Sequence, residues 1–229
     1  MAWLCGGKSN SELISNMAKS SILKSDRVAK GMTAVDRANF VLDKAEAYED
    51  SPQSIGYGAT ISAPHMHAYA CEHLLPYMHP GAKVLDVGSG SGYLTAVLHH
   101  LVQSEDKANP GKVVGIEHVS ELTEWSIQNL KRDGLGNALE SKEIEMITGD
   151  GRQGYAAGGP YNAIHVGAAA PTIPEALIEQ LASPGRMFIP VGTYEQKIIH
   201  VDKDENGRIT QQDIMFVRYV PLTDRDKQV

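Results

Sequence analysis

The run VLDVGSGSGYL at residues 84–94 constrains the fold more strongly than any other part of the sequence. An apolar, strand-like segment leads directly into three glycines, and an apolar segment with helical periodicity follows them. Because glycine lacks a Cβ atom, Gly88, Gly90 and Gly92 allow the backbone to turn tightly and to approach a ligand closely. The run therefore predicts a strand, a ligand-binding loop and a helix in succession.

Strand-like and helical segments alternate from residue 83 onward, which predicts a mostly parallel sheet with helices on both faces. A hairpin signal, Asp-Glu-Asn-Gly, separates two strand-like runs within residues 196–220. This order is typical of a doubly wound, Rossmann-like α/β domain with an antiparallel C-terminal edge. The predicted strands span residues 83–88, 112–118, 143–150, 161–166 and 186–192, and the predicted helices span residues 93–102, 120–135 and 173–185.

The first third of the chain differs from the rest. Residues 9–48 have helical character and predict helices that cover the sheet. Proline, serine and glycine in residues 49–58 indicate a loop, and a further helix is expected over residues 63–78. No repeat or linker divides the sequence. We therefore predict a single domain over residues 1–229, with a helical cover and substrate segment in residues 1–80 and the α/β core and C-terminal hairpin in residues 81–229.

Composition and charge argue against several classes of protein. The formal net charge of −7 offers no broad field that would attract a phosphate backbone, so nucleic acid is not an expected partner. No apolar run approaches the roughly 18 to 20 residues of a membrane span, and the N-terminal residues do not resemble a secretory signal. The two cysteines, Cys5 and Cys71, are too few for a disulfide framework. We expect a cytosolic protein with reduced thiols.

The residues around the glycine loop distinguish between classes of cofactor. A dinucleotide fingerprint, G-x-G-x-x-G, would require glycine where Tyr93 stands. Asp86, just before the loop, would repel a diphosphate. S-adenosyl-L-methionine carries an ammonium and a sulfonium but no phosphate, so an acid beside the loop suits this cofactor.

Two more acids follow predicted strands. Glu117 ends the second strand, where a carboxylate accepts hydrogen bonds from ribose hydroxyls, and Asp150 ends the third, where it could accept one from an adenine amino group. Either acid alone is equally typical of a cap or a solvated loop. Because ligands of open α/β sheets bind at the carboxyl ends of the strands, the three acids together favour a cofactor crevice.

Three histidines, His65, His67 and His73, suggest a metal site at first sight. His65 and His67 are two residues apart, so a helix would point them to different faces, and no nearby cysteine or acid completes a tetrahedral set. We predict no metal. His67 is instead expected beside the cofactor, and His73 is expected to pack on its helix.

Several longer runs support a family resemblance. ATISAPHMHAYA, LDVGSGSGYLTA, GDGR, IHVGAAAP and YVPLTD occur in this order, and from the AWLCGG start to Thr223 the chain resembles the protein-L-isoaspartate O-methyltransferases. The resemblance implies transfer of a methyl group from S-adenosyl-L-methionine to the free carboxylate of L-isoaspartyl residues, extending to D-aspartyl residues, in damaged proteins and peptides. S-adenosyl-L-homocysteine is left, and the ester closes to a succinimide that reopens in part to aspartate. A monomer is the family expectation.

The resemblance also implies roles for particular residues, and places the active-site serine at Ser62. With the residues of the glycine loop, the predicted cofactor-binding residues are Ala59, Thr60, Ile61, Ser62, His67, Asp86, Gly88, Ser91, Glu117, His118, Gly149, Asp150 and Thr223.

The chemistry implied for Ser62 is orientation and not base catalysis. A carboxylate with an ordinary pKa near 4 is already ionised at neutral pH, so it needs alignment with the methyl group and no strong base. We expect Ser62 to donate a hydrogen bond to this carboxylate and to cap a helix whose first backbone N–H groups favour the anion. Three alternatives stay open: a methyltransferase for another acceptor, a nicotinamide oxidoreductase, which the glycine pattern disfavours, and a non-enzymatic cofactor sensor.

Overall fold

The computed structural model describes residues 5–106 and 108–228, so the first residues of the AWLCGG run lie outside the described part. Among the described helices, none has the length and apolar character to cross a bilayer. The helices are α1 (Asn10–Lys19), α2 (Asp26–Ala34), α3 (Pro64–Leu74), α4 (Tyr93–Val102), α5 (Ser120–Arg132), α6 (Gly136–Glu140), α7 (Glu175–Glu179) and α8 (Arg225–Gln228). The strands are β1 (Gln53–Gly56), β2 (Ala59–Ile61), β3 (Lys83–Val87), β4 (Lys112–Glu117), β5 (Ile144–Thr148), β6 (Tyr161–Val166), β7 (Leu181–Val191), β8 (Gln196–Lys203) and β9 (Ile209–Val217).

A seven-stranded sheet of order β5-β4-β3-β6-β7-β8-β9 forms the centre of the fold. Strands β3 to β7 run parallel to one another, and β8 and β9 complete the sheet as antiparallel strands. The expected fold class is therefore confirmed. Because β3 lies between β4 and β6, the chain order reverses at its carboxyl end, which is the position where such sheets bind ligands.

Side chains alternate between two apolar layers along the strands, as the period of two in a strand requires. One layer is covered by the N-terminal helices together with α3, α4 and α5. The other is thinner and is covered by α7 and short turns, with Leu177 as the buried side chain of α7. The first layer receives Val84, Val113, Ala163 and Phe188, and the second receives Leu85, Val114, Ile164 and Met187.

Three of the predicted elements are wrong in part. The helix expected over residues 173–185 ends at Glu179, because Leu181 joins β7 by pairing with Tyr161 and this pairing outweighs local helix propensity. Helical structure after residue 25 stops at Ala34 and resumes only as a 3-10 turn at Arg37–Asn39. The predicted loop at residues 49–58 contains β1, which forms a small antiparallel hairpin with β2.

The chain returns to the carboxyl edge of the sheet near its C-terminus. The Ala169 N–H donates to the Val220 carbonyl and the Leu222 N–H donates to the Ala169 carbonyl, each at 2.8 Å. The Gln196 side chain also binds the backbone of Tyr219 at both its N–H and its carbonyl. These bonds fix the segment that precedes Thr223 beside the glycine loop.

Candidate active site

The glycine loop joins β3 to α4 in a conformation that only glycine adopts readily. Gly88, Gly90 and Gly92 have φ angles of 74°, 51° and 83°, in the left-handed region. The N–H groups of Gly88 and Ser89 both donate to the Ile116 carbonyl of β4. The loop is therefore held against the neighbouring strand, with its backbone facing the crevice at the carboxyl end of the sheet.

Glu117 supports this loop as well as facing the crevice. Its Oε2 accepts a hydrogen bond from the Gly90 N–H at 3.1 Å, and its Oε1 accepts one from the Val119 N–H at 3.0 Å. The side chain is buried. Because each carboxylate oxygen has two acceptor positions, one on each remains for a ligand. Glu117 thus connects the glycine loop, the start of α5 and the predicted ribose position.

Asp86 lies deeper than the sequence suggested. Its side chain is 1% exposed, Oδ2 accepts from Thr95 Oγ1 at 2.6 Å, and Oδ1 accepts from His165 Nδ1 at 2.8 Å. Asp86 is therefore part of the floor of the crevice, where Thr95 and His165 hydrogen-bond to its carboxylate. The histidine of IHVGAAAP was not among the predicted site residues, and its register opposite Asp86 in β6 explains its place here.

Two cavities that share lining residues occupy the crevice. The first has a volume of about 550 Å³ and the second about 340 Å³. Gly149 lies in neither lining and donates its N–H to the Glu117 carbonyl. The other twelve of the thirteen predicted cofactor-binding residues are brought together here: Ala59, Glu117, His118, Asp150 and Thr223 line the first cavity, Ile61, Ser62, His67, Asp86 and Ser91 line the second, and Thr60 and Gly88 line both.

Asp150 and the C-terminal segment close one side of the first cavity. Arg152 donates hydrogen bonds to both carboxylate oxygens of Asp150 at 2.8 to 3.1 Å, and its Nη2 also donates to Asp224 at 2.7 Å. Hydrogen bonding from Arg152 lowers the pKa of Asp150. On the same side, His118 Nε2 lies 3.0 Å from Gln228 Oε1. Arg152 belongs to the run GDGR but was not among the predicted site residues, and Gln228 has no signal in the sequence because it reaches the site through a contact distant in sequence.

Ser62 precedes α3 but does not cap it, so that expectation is wrong. The N-cap of α3 is Ala63, without a side-chain bond. Asp50 instead accepts hydrogen bonds from both the backbone N–H and the Nδ1 of His65, at 3.0 and 2.8 Å. The next two N–H groups donate to the Ala63 carbonyl. The predicted anion-binding helix start is therefore already occupied by a carboxylate of the protein.

Ser62 has two neighbours that sequence analysis missed. Its side chain lies beside that of Tyr219, whose pKa is raised by burial. Its carbonyl accepts a hydrogen bond from Arg37 Nη2 at 2.9 Å. Arg37 falls in the predicted helical cover of residues 9–48, where a charged side chain is expected on the exposed face, so its burial has no signal in the sequence.

His65, His67 and His73, which suggested a metal site in the sequence, have different surroundings in the structure. His65 is bound to Asp50, and His73 packs its ring 4.8 Å from that of His200. His67 lines the second cavity with its ring 5.0 Å from that of Tyr93. Burial lowers the pKa of His67 well below its ordinary value, and the charges of Arg37, His165 and His65 add to this effect. His67 is therefore neutral at physiological pH.

An open groove adjoins the second cavity and is the larger space, with a volume of about 1470 Å³ including its mouth. Its walls come from the start of α3 and from the end of β9 with the residues that follow. Most of its lining is apolar, and Phe216 is 72% exposed at its rim. Thr60 and Ser62 line this groove as well as the second cavity, so they mark the place where the two spaces meet.

Comparison with known proteins gives one consistent result. Residues 8–227 match the model of the protein-L-isoaspartate(D-aspartate) O-methyltransferase family. The chain is 49% identical over 220 residues to protein-L-isoaspartate O-methyltransferase 1 of Arabidopsis thaliana, covering 96% of this chain and 94% of that one. It is 47% identical over 230 residues to the Caenorhabditis elegans enzyme, covering 100% and 98%.

A solved structure shows the same fold. The protein-L-isoaspartate O-methyltransferase of Plasmodium falciparum, in complex with S-adenosyl-L-homocysteine, superposes with a TM-score of 0.87 at 33% identity, covering 95% of this chain and 99% of that one. The family match, the identities and the shared fold all extend over nearly the whole chain. The chain therefore belongs to the protein-L-isoaspartate(D-aspartate) O-methyltransferase family.

Proposed function

We propose that this protein transfers the methyl group of S-adenosyl-L-methionine to the free carboxylate of L-isoaspartyl residues in damaged proteins and peptides, and that D-aspartyl residues are also acceptors. The observation on which this depends is the position of Ser62, which lines both the second cavity and the open groove. A small cavity that meets a wide groove at two hydroxyl-bearing residues, Thr60 and Ser62, suits a small donor molecule and a polypeptide acceptor.

The residues of the two cavities fit the cofactor. Glu117 keeps acceptor positions for the ribose, and His118, Asp150 and Thr223 line the remainder of the first cavity. In the second cavity, Ser89 Oγ and His67 Nδ1 are buried without a hydrogen-bond partner among the described residues, so the polar amino-acid end of the cofactor would satisfy them. When bound, the cofactor supplies an electrophilic methyl group on a sulfonium.

The protein's part in the reaction is alignment. The acceptor carboxylate is ionised at neutral pH, so no residue has to remove a proton. We assign to Ser62 a hydrogen bond to this carboxylate, with the Ser62 backbone fixed by Arg37 and its side chain adjoining Tyr219. Holding the two reacting groups in line contributes by lowering the entropic cost of their encounter. Neutral His67 adds no charge that would compete with the sulfonium.

The acceptor groove suits an extended polypeptide. It is wide and mostly apolar, and Arg218 provides a cationic side chain in its lining. After methylation, the backbone nitrogen of the following residue attacks the ester carbonyl and methanol leaves, which closes the succinimide. No part of this second step requires the enzyme. We further propose that the protein acts as a cytosolic monomer and binds neither nucleic acid nor membranes, which the net charge of −7 supports.

Methyl incorporation into matched peptides tests the proposal. Three peptides of identical sequence, with isoaspartate, aspartate or asparagine at one position, are incubated with labelled cofactor. We expect labelling of the isoaspartyl peptide alone, and loss of the label as methanol in mild alkali. Equal labelling of all three peptides, or label that resists alkali, would favour a methyltransferase for another acceptor. Cofactor binding without any transfer would favour a sensor.

A further inference from the structure

Arg37 is a buried cation that the established features of the site do not use. Its side chain is 0% exposed, and its Nε and Nη1 have no hydrogen-bond partner among the described residues. Burial lowers the pKa of Arg37 to about 10, so it stays protonated at neutral pH. A buried charge with unsatisfied donors is costly to the folded state. Its presence therefore needs an explanation other than stability.

The side-chain contacts of Arg37 are with residues close to the place where the second cavity and the groove meet. Its Nη2 donates to the Ser62 carbonyl, and its guanidinium carbon lies 5.4 Å from the centre of the Tyr93 ring. Tyr93 in turn contacts His67, and all three of Ser62, Tyr93 and His67 line the second cavity. Arg37 itself is directly behind this wall.

No carboxylate neutralises Arg37 directly. Within residues 5–106 and 108–228, no acid oxygen lies within ion-pair distance of its guanidinium. Asp50 is the acid that most influences it, but this carboxylate lies beyond ion-pair distance, and its Oδ1 binds His65 at the start of α3. The positive charge of Arg37 can therefore attract an anion that binds on the side of Ser62 facing the second cavity and the groove.

We propose that Arg37 is a positioning residue for the acceptor: it fixes the Ser62 backbone and provides the positive charge that favours binding of an anionic acceptor at Ser62. The assignment rests on the proposed function, in which the acceptor is a carboxylate. It also replaces the start of α3 as the origin of attraction for the anion, because Asp50 binds the His65 N–H and the next two N–H groups donate to the Ala63 carbonyl.

The kinetics expected from this role are specific. Methyl transfer joins an anion to a cation and the charges disappear, so a fixed positive charge stabilises the bound acceptor more than the transition state. Removing the charge should therefore raise KM for the acceptor, whereas loss of the bond to Ser62 should lower kcat. A residue with only a structural role would change neither selectively.

The test compares Arg37→Met, Arg37→Lys and a matched control, Arg27→Met, with the wild type. Arg27 also donates to backbone carbonyls, those of Met78 and Leu101, but lies in none of the cavities described above. Each variant is measured for KM and kcat with the isoaspartyl peptide, for S-adenosyl-L-homocysteine affinity by calorimetry, and for Tm.

We expect Arg37→Met to raise KM roughly tenfold or more, because a buried charge a few ångströms from an anion contributes an attraction on this order. Its cofactor affinity should stay within about threefold of wild type, and its Tm should fall no further than that of Arg27→Met, since a buried charge is often replaced by an apolar side chain without loss of stability. Arg37→Lys should return KM to within about threefold of wild type, and Arg27→Met should leave KM unchanged.

Three results would overturn the assignment. They are a wild-type KM and kcat in Arg37→Met, a larger loss of Tm in Arg37→Met than in Arg27→Met, or no recovery of KM in Arg37→Lys. A wild-type protein that labels no isoaspartyl peptide would refute the proposed function, and this assignment with it. An active wild type with an unaffected Arg37→Met variant would refute the assignment alone.

Discussion

Substituting Glu117 by glutamine tests the cofactor site most directly, because it changes charge and one acceptor with almost no change of shape. In the structure, Glu117 accepts from the N–H groups of Gly90 and Val119 through different oxygens. A glutamine amide has one oxygen, so its NH₂ group must face one of these two N–H donors. The remaining oxygen cannot then serve both its own N–H and the two ribose hydroxyls.

The size of the effect follows from these bonds. Hydrogen bonds to a charged group contribute about 1.5 to 3 kcal/mol each, and 1.4 kcal/mol corresponds to a factor of ten in Kd. Loss of one such bond to the ribose predicts a Kd for S-adenosyl-L-homocysteine that is roughly 10 to 150 times higher. One buried N–H facing an amide nitrogen costs about 1 to 3 kcal/mol in the free protein, which predicts a Tm lower by roughly 2 to 12 °C for a chain of this length.

Isothermal calorimetry with S-adenosyl-L-homocysteine measures the affinity, and thermal unfolding of the free protein measures the second effect. Glu145→Gln is the matched control, because it removes the same charge from a neighbouring strand where Glu145 pairs with Lys112 and lines neither cavity. A Kd for Glu117→Gln within about threefold of the control would refute the ribose role. A lower Tm with unchanged Kd would leave Glu117 as a loop support only.

Three further predictions follow from the same contacts. Ser62→Ala should lower kcat roughly tenfold or more while the calorimetric affinity for S-adenosyl-L-homocysteine stays within about threefold, because the serine orients the acceptor; unaltered kinetics would refute this role. Arg152→Ala should speed tryptic cleavage after Arg225, since it releases Asp224, but should change the free energy of unfolding by less than about 1 kcal/mol, as expected for exposed ion pairs. Burial lowers the pKa of His99 and of His200 to about 4; as pH falls from 6.5 to 4 only the unfolded chain gains these protons, so urea unfolding should show stability falling by about 2 to 3 kcal/mol per histidine, and by less in a His99→Leu, His200→Leu variant.

The elements of the core could be predicted from sequence because their signals are local. The glycine loop stands between an apolar, strand-like segment and a segment with helical periodicity, and α4 has the bounds that the sequence predicts. The prediction of a helix over residues 173–185 was wrong because a tertiary contact decides the structure there. The second half of this segment pairs with β6, and this pairing outweighs the local helix propensity.

The residues of the candidate site also fall into those with a signal in the sequence and those placed by tertiary packing. Residues at the carboxyl ends of strands, such as Glu117 and Asp150, could be predicted because the topology of the sheet brings those ends together. Arg37 and Asp50 could not, because each belongs to the irregular connection after α2 and reaches the site through tertiary packing. Their side chains give no periodic or motif signal, and only the folded chain shows that one supports Ser62 and the other occupies the start of α3.

The distribution of charge around Ser62 is consistent with the proposed reaction. When an anion attacks a sulfonium, charge is lost on the way to the transition state, so polar surroundings that stabilise the separated ions slow the chemical step. A protonated histidine beside the methyl group would have this effect and would also repel the sulfonium. Burial keeps His67 neutral, and Asp86 has its charge held by Thr95 and His165 at the cavity floor. The buried cation, Arg37, lies behind the wall, where it can attract the acceptor without touching the reacting atoms.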